Sequence, residues 1–186
     1  HTDGVVVYPT ETFYGLGANC YSEKAVARIY RLKKRERTKP LSVIVSSMDM
    51  VEEVTSERPE LFYLISEQFW PGPLTLVLKA IEEFPEYVTG PSKTIGIRWP
   101  DYKWLNVLVH KTGFPITATS ANVSGTPEIA TPEKAVDIFD GKVEIIADGG
   151  NTKGELPSTV LSLVSGKPKI LREGALSLKK LEPYLK

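Results

Sequence analysis

Short apolar runs of strand length recur along this chain at 5–8, 41–45, 74–79, 94–98, 115–119, 143–147, 160–164 and 169–171, but amphipathic stretches of helical period separate only some of them. A strand that returns through a helix finds a parallel neighbour, whereas strands that follow one another directly pair antiparallel. The spacing therefore predicts α/β layering around a mixed sheet. The helices carry their own signals. Ser22 caps a stretch in which Ala25, Ile29 and Leu32 recur at helical spacing, widened by Val26 and Tyr30, and Lys39-Pro40 stops it. Its basic end, Lys33, Lys34, Arg35 and Arg37, suits the negative pole of a helix dipole. Further helices are expected at 49–54, at 59–70 with Pro59 first, at 101–112 capped by Asp101 and closed by Gly113, from Thr131-Pro132-Glu133 through Phe139, and at 178–185. The polar stretches 10–17 and 120–125 read as turn and loop, and Pro71-Gly72-Pro73 as a hard break.

The 186 residues suit one domain spanning 1–186. An interior strand only four residues from the start suggests that an N-terminal element precedes this sequence. A lone cysteine, Cys20, builds no disulfide framework and points to a reducing cytoplasm. No apolar run approaches the roughly 20 residues of a bilayer span, so no membrane partner is expected. Twenty-three basic side chains balance 23 acidic ones, which argues against a general nucleic-acid coat and makes the position of each charge the informative quantity.

Several chemistries lack their residues. Two histidines and one cysteine make no metal cluster, and His110 falls inside an expected helix. Gly15-Leu16-Gly17 carries Cys20 where the dinucleotide fingerprint needs its third glycine, and Glu155 follows the gap between Gly149 and Gly154 where a phosphate loop needs lysine. Cys20 has no histidine placed to activate it. What remains is a set of segments rich in hydroxyls, glycines and cations at 10–17, 33–39, 94–98, 119–125, 157–159 and 172–174. Strand ends of an open α/β sheet converge on one crevice, so these segments can line a single anion site. Transfer at a phosphate is the chemistry that positioning and charge neutralisation serve best.

Eight pieces in order carry a resemblance. They are Pro9-Thr10-Glu11-Thr12-Phe13-Tyr14-Gly15-Leu16, Lys33-Lys34-Arg35, Lys39-Pro40-Leu41, Pro71-Gly72-Pro73-Leu74-Thr75, Gly96-Ile97-Arg98, Ser120-Ala121-Asn122-Val123-Ser124-Gly125, Pro157-Ser158-Thr159 and Leu171-Arg172-Glu173-Gly174. Together they resemble the YrdC/TsaC family of threonylcarbamoyl-AMP synthases, in its short, single-domain form. The resemblance implies a twisted, open mixed sheet flanked by helices around a large electropositive cavity. It implies that L-threonine, bicarbonate and ATP, the last with magnesium held through its phosphates, give L-threonylcarbamoyladenylate and pyrophosphate. The product would pass to a threonylcarbamoyl-transferase complex for tRNA modification, with direct tRNA binding possible but not required.

Carried over motif by motif, the resemblance puts ATP against Lys33, Arg35, Lys39, Thr94, Ser120, Asn122 and Arg172, with Lys33 and Arg35 catalytic, and threonine against Thr12, Arg98 and Ser158. Arg98 offers a planar fork that matches a carboxylate. Two departures stand out: Glu36 where many relatives have proline, and Ile44 where some have histidine. Two other readings compete, an RNA-binding module and carbamoyl-adenylate handling in hydrogenase maturation. Zero net charge and the lack of aromatic stacking motifs weigh against the first, and the length of the chain against the second.

Overall fold

The computed structural model describes residues 3–185. Nine strands form one sheet: β1 (Val5–Tyr8), β2 (Gly15–Ala18), β3 (Ser42–Ile44), β4 (Leu74–Lys79), β5 (Thr94–Arg98), β6 (Ile116–Ser120), β7 (Ile145–Ile146), β8 (Thr159–Ser162) and β9 (Lys169–Arg172). Their order is β7-β1-β2-β6-β3-β5-β4-β8-β9. The β1–β7, β3–β5 and β4–β8 pairs are parallel and the other five antiparallel, so the sheet is mixed and open, as the spacing of runs and helices predicts.

Among the described residues seven α-helices accompany it: α1 (Glu23–Lys33), α2 (Met48–Val54), α3 (Glu60–Phe69), α4 (Glu86–Thr89), α5 (Lys103–Thr112), α6 (Pro132–Phe139) and α7 (Leu178–Leu181). Ser22 caps α1, its hydroxyl accepting from the Ala25 amide, and Ala25, Val26, Ile29 and Tyr30 are buried along one stripe. That stripe packs on β1 and β2. Val26 and Ile29, fully buried there, contribute roughly 1.5–3 kcal/mol each.

The strands alternate. Leu74, Leu76 and Leu78 of β4, Ile95 and Ile97 of β5, Val43 of β3 and Leu161 of β8 are all buried in the core. The opposite pleat carries Ser42, Ile44, Thr75, Arg98 and Val160, and these residues line a cleft. One sheet therefore separates a hydrophobic core from a polar floor.

Four expectations need correction. Residues 15–18 form β2 rather than the end of a turn. A Cβ on Gly15 would stand 2.5 Å from the Tyr8 ring and one on Gly17 2.6 Å, so these glycines let an aromatic ring lie flat across the strand. Helix α5 starts at Lys103 with Tyr102 rather than Asp101 at its cap and no side-chain cap bond, while Asn106 ties its start to the Pro100 carbonyl at 2.9 Å. The expected helix 178–185 ends at Leu181 and tightens into a 3₁₀ turn, Glu182–Tyr184, opened by Pro183. Helix α4 has no counterpart among the predicted elements, and β7 is two residues long instead of five.

Candidate active site

The floor of the cleft is a single row of cross-strand partners. Ile44 of β3 pairs with Arg98 of β5, Arg98 with Thr75 of β4, Thr75 with Val160 of β8, and Val160 with Arg172 of β9. Partners in one row point to the same face of a sheet, so five strands deliver two guanidinium groups, a hydroxyl and two aliphatic walls to one surface. Gly96 lies on the same face two residues before Arg98. A Cβ there would stand 2.5 Å from Ser42 Oγ, so the missing side chain leaves room for the Ser42 hydroxyl. The cleft encloses about 890 Å³ of empty space, its open mouth included.

The 10–14 segment forms one wall. Thr10 Oγ1 donates to the Phe13 carbonyl at 2.7 Å and accepts from the Thr12 amide at 3.1 Å, a hydroxyl-closed turn that presents Thr12 to the cleft. Arg98 Nη2 then donates to Thr12 Oγ1 at 3.0 Å. Tyr14 fixes the end of the segment, its hydroxyl donating to the Gly150 carbonyl at 2.8 Å and accepting from the Gly149 amide at 3.2 Å. Across the floor, Thr75 and Ser158 share a hydroxyl–hydroxyl bond of 2.9 Å, and Arg172 grips the Ser158 carbonyl through Nε and Nη2 at 3.1 and 2.8 Å. Burial lowers the pKa of Arg172, Arg98 adds to the lowering and Glu128 opposes it.

The 120–122 loop forms the third wall. Ser120 Oγ donates to Asn122 Oδ1 at 2.6 Å, and Asn122 Nδ2 donates to the Thr126 carbonyl. Behind them Lys33, only 2% exposed, donates to the Ser120 carbonyl, to the Asn122 carbonyl at 2.9 Å and to Asn122 Oδ1 at 3.0 Å. Its three N–H groups thus have three oxygen acceptors. Burial first, and Arg35 second, pull the Lys33 pKa down to about 8, with Glu128 opposing.

A family model described as telomere recombination, Sua5/YciO/YrdC, matches residues 1–174. The chain belongs to the Sua5/YciO/YrdC family. Within that family it is 40% identical over 181 residues to the threonylcarbamoyl-AMP synthase of Pyrococcus abyssi, and 38% identical over 182 residues to that of Bacillus subtilis. In both cases 97% of this chain aligns with 53% of the relative, so it spans about half the length of these proteins. A crystal structure of P. abyssi Sua5 complexed with L-threonine superposes with a TM-score of 0.94 at 39% identity, over 98% of this chain and 54% of that one.

In this Sua5/YciO/YrdC domain, Thr12, Arg35, Arg98, Ser120, Ser158 and Arg172 all line the same cleft, although they are scattered over 160 positions of sequence. Lys33 and Asn122 lie directly beneath the lining, with the hydrogen bonds given above. Lys39 and Thr94 stand outside it. Thr94 shares Arg98's face of β5 but begins the strand, roughly 13 Å away at strand rise. Lys39 is exposed and pairs with Glu36 at 3.3 Å, and Glu36, 70% exposed, faces solvent and is not part of the cleft lining. Ile44, the second departure, forms floor beside Arg98. Sequence reasoning assigned no role to Glu11, Thr75 or Glu128. Alternation in 74–79 carries a signal for Thr75, and the Pro9–Leu16 motif contains Glu11, but nothing around Glu128 marks it.

Proposed function

We propose that this domain joins L-threonine, bicarbonate and ATP into L-threonylcarbamoyladenylate with release of pyrophosphate. The observation that carries the reading is the convergence of Arg35, Arg98 and Arg172 on one cleft beside the Ser120, Ser158, Thr12 and Thr75 hydroxyls. Two relatives named threonylcarbamoyl-AMP synthase and the threonine complex of P. abyssi Sua5 support it. In this scheme Arg98 takes the amino-acid carboxylate, with Thr12 and Ser158 beside it. Arg35, Arg172 and the Ser120 hydroxyl face the triphosphate, Lys39 and Thr94 serve nucleotide parts that extend past the lining, and Lys33 acts on the phosphate side through the 120–122 loop.

The threonine amine attacks bicarbonate carbon and loses a proton, hydroxide leaves, and a carbamate results. A carbamate oxygen then forms a bond to the α-phosphorus as the bond to the bridging oxygen breaks and pyrophosphate departs. Both reactants are anions. Bringing them together requires fixed positive charge, and the lining holds three guanidinium groups against one carboxylate, Glu128. The described residues bring no three His, Cys, Asp or Glu side chains together, so magnesium is proposed to enter on the phosphates of ATP and to neutralise charge there.

The product would feed tRNA modification through a downstream transferase complex, which places the reaction in the cytoplasm. Among the described residues no helix is long and apolar enough to cross a membrane. The test is pyrophosphate release with threonine, bicarbonate and ATP each omitted in turn. Release that persists without threonine refutes the substrate assignment.

A further inference from the structure

Arg98 has an acidic neighbour that takes no part in lining the cleft. Glu11 Oε2 stands 3.0 Å from Arg98 Nη2, and the two side chains are 16% and 12% exposed. The contact is Coulombic only. Both Glu11 oxygens and Arg98 Nε are shielded from solvent and have no hydrogen-bond partner among the described residues. A desolvated ion pair without supporting hydrogen bonds is a poor stabilising device, since hydrocarbon of the same shape serves as well or better. Its place beside the cleft calls for another role.

The geometry limits what that role can be. Because both oxygens are covered, a ligand cannot touch Glu11, and any effect on chemistry passes through Arg98. Thr12 Oγ1 accepts a hydrogen bond from Arg98 Nη2, and Glu11 Oε2 stands 3.0 Å from the same nitrogen. That leaves Nη1 as the terminal nitrogen that neither residue engages. Charge matters as much as aim. The carboxylate behind Arg98 repels an incoming anion in proportion to the anion's charge, so a dianionic phosphate meets twice the opposition that a monoanionic carboxylate does. Arg35 and Arg172 have no acidic side chain at ion-pair distance among the described residues, so the anion-binding groups of the cleft are not equivalent.

We propose that Glu11 is a positioning residue that fixes the Arg98 guanidinium and tunes its subsite to a singly charged carboxylate while turning phosphate away. The proposal rests on the reading that Arg98 holds the amino-acid carboxylate, and it explains how one cationic cleft keeps threonine and triphosphate in separate places.

The test is calorimetric titration of the full chain with L-threonine, with inorganic phosphate and with ATP, in wild type and Glu11→Gln. In Glu11→Gln threonine affinity falls at least tenfold, phosphate competes with threonine at least tenfold more strongly than in wild type, and ATP affinity stays within twofold. The phosphate gain disappears in Glu11→Gln/Arg98→Ala. Unchanged threonine and phosphate affinities in Glu11→Gln, or parallel loss of threonine and ATP, overturn the proposal. If Glu11→Gln does not fold, Glu11→Asp, which keeps the charge but withdraws it by one methylene, decides: phosphate competition stronger than in wild type supports the role and wild-type competition refutes it. A wild type that takes no threonine sinks the substrate reading, while the Arg98-dependent gain in the direct phosphate titration still decides the role of Glu11.

Discussion

Replacing Lys33 with methionine keeps the bulk of the side chain and deletes the ammonium under the 120–122 loop. Two effects oppose each other. The Ser120 and Asn122 carbonyls lose their Lys33 donor, whereas Asn122 Oδ1 keeps the Ser120 hydroxyl. Two buried acceptors left unsatisfied cost about 1–3 kcal/mol each, or about 2–6 kcal/mol together. Against that, the fall of the Lys33 pKa from 10.5 to about 8 means that burying the charge costs about 3 kcal/mol at neutral pH, at about 1.4 kcal/mol per pH unit. The variant should therefore lose up to about 3 kcal/mol at pH 7, and the loop that presents Ser120 should loosen. The pH dependence fixes the sign. Because the folded pKa lies below the unfolded one, the unfolded chain binds more protons between pH 8 and 10.5, and wild type gains stability as pH rises through that window. Lys33→Met has no such gain, so the gap should widen by about 2 kcal/mol between pH 8 and 9.5. Urea unfolding at both pH values measures it. A variant at least as stable as wild type at pH 7, with a gap that stays flat to pH 9.5, would show that Lys33 does not pin the loop.

Arg98→Ala should weaken the threonine response by at least tenfold while ATP affinity, measured by calorimetry, stays near wild type; equal loss of both would remove Arg98 from the amino-acid side. Arg35→Ala should abolish pyrophosphate release, and a wild-type rate would retire its assignment to the phosphates. Gly17→Ala should cost about 1–3 kcal/mol in urea unfolding, because the added carbon meets the Thr117 carbonyl at 2.9 Å as well as the Tyr8 ring. Gly96→Ala should cost less, since the Ser42 hydroxyl it meets can swing aside, and the reverse order would refute this account of the two glycines.

The fold was legible where one rule governed each residue. In Thr94-Ile95-Gly96-Ile97-Arg98 the alternation alone separates the core face from the cleft face, and the structure buries Ile95 and Ile97. It was not legible in 15–18, where glycines that usually mark a turn serve instead to admit the Tyr8 ring from 109 residues before its carbonyl partner at Thr117. The convergence of the hydroxyl- and cation-rich segments was legible as a consequence of sheet topology. Depth was not. Lys33 and Arg35 are two residues apart, yet one lies sealed beneath a loop and the other on the lining, because the helix ends between them and Lys34 turns left-handed at φ 49°. Glu11 was hidden for a related reason, since a carboxylate in a motif does not say which arginine from another strand will stand against it.

The row Ile44–Arg98–Thr75–Val160–Arg172 draws on positions separated by up to 128 residues, and its neighbours come from consecutive strands only at Arg98–Thr75 and Val160–Arg172. The cleft therefore lacks its Arg172 guanidinium until the ninth strand docks against the eighth. A ligand that touches both ends of the row ties the ninth strand to the third, across three strands that lie between them.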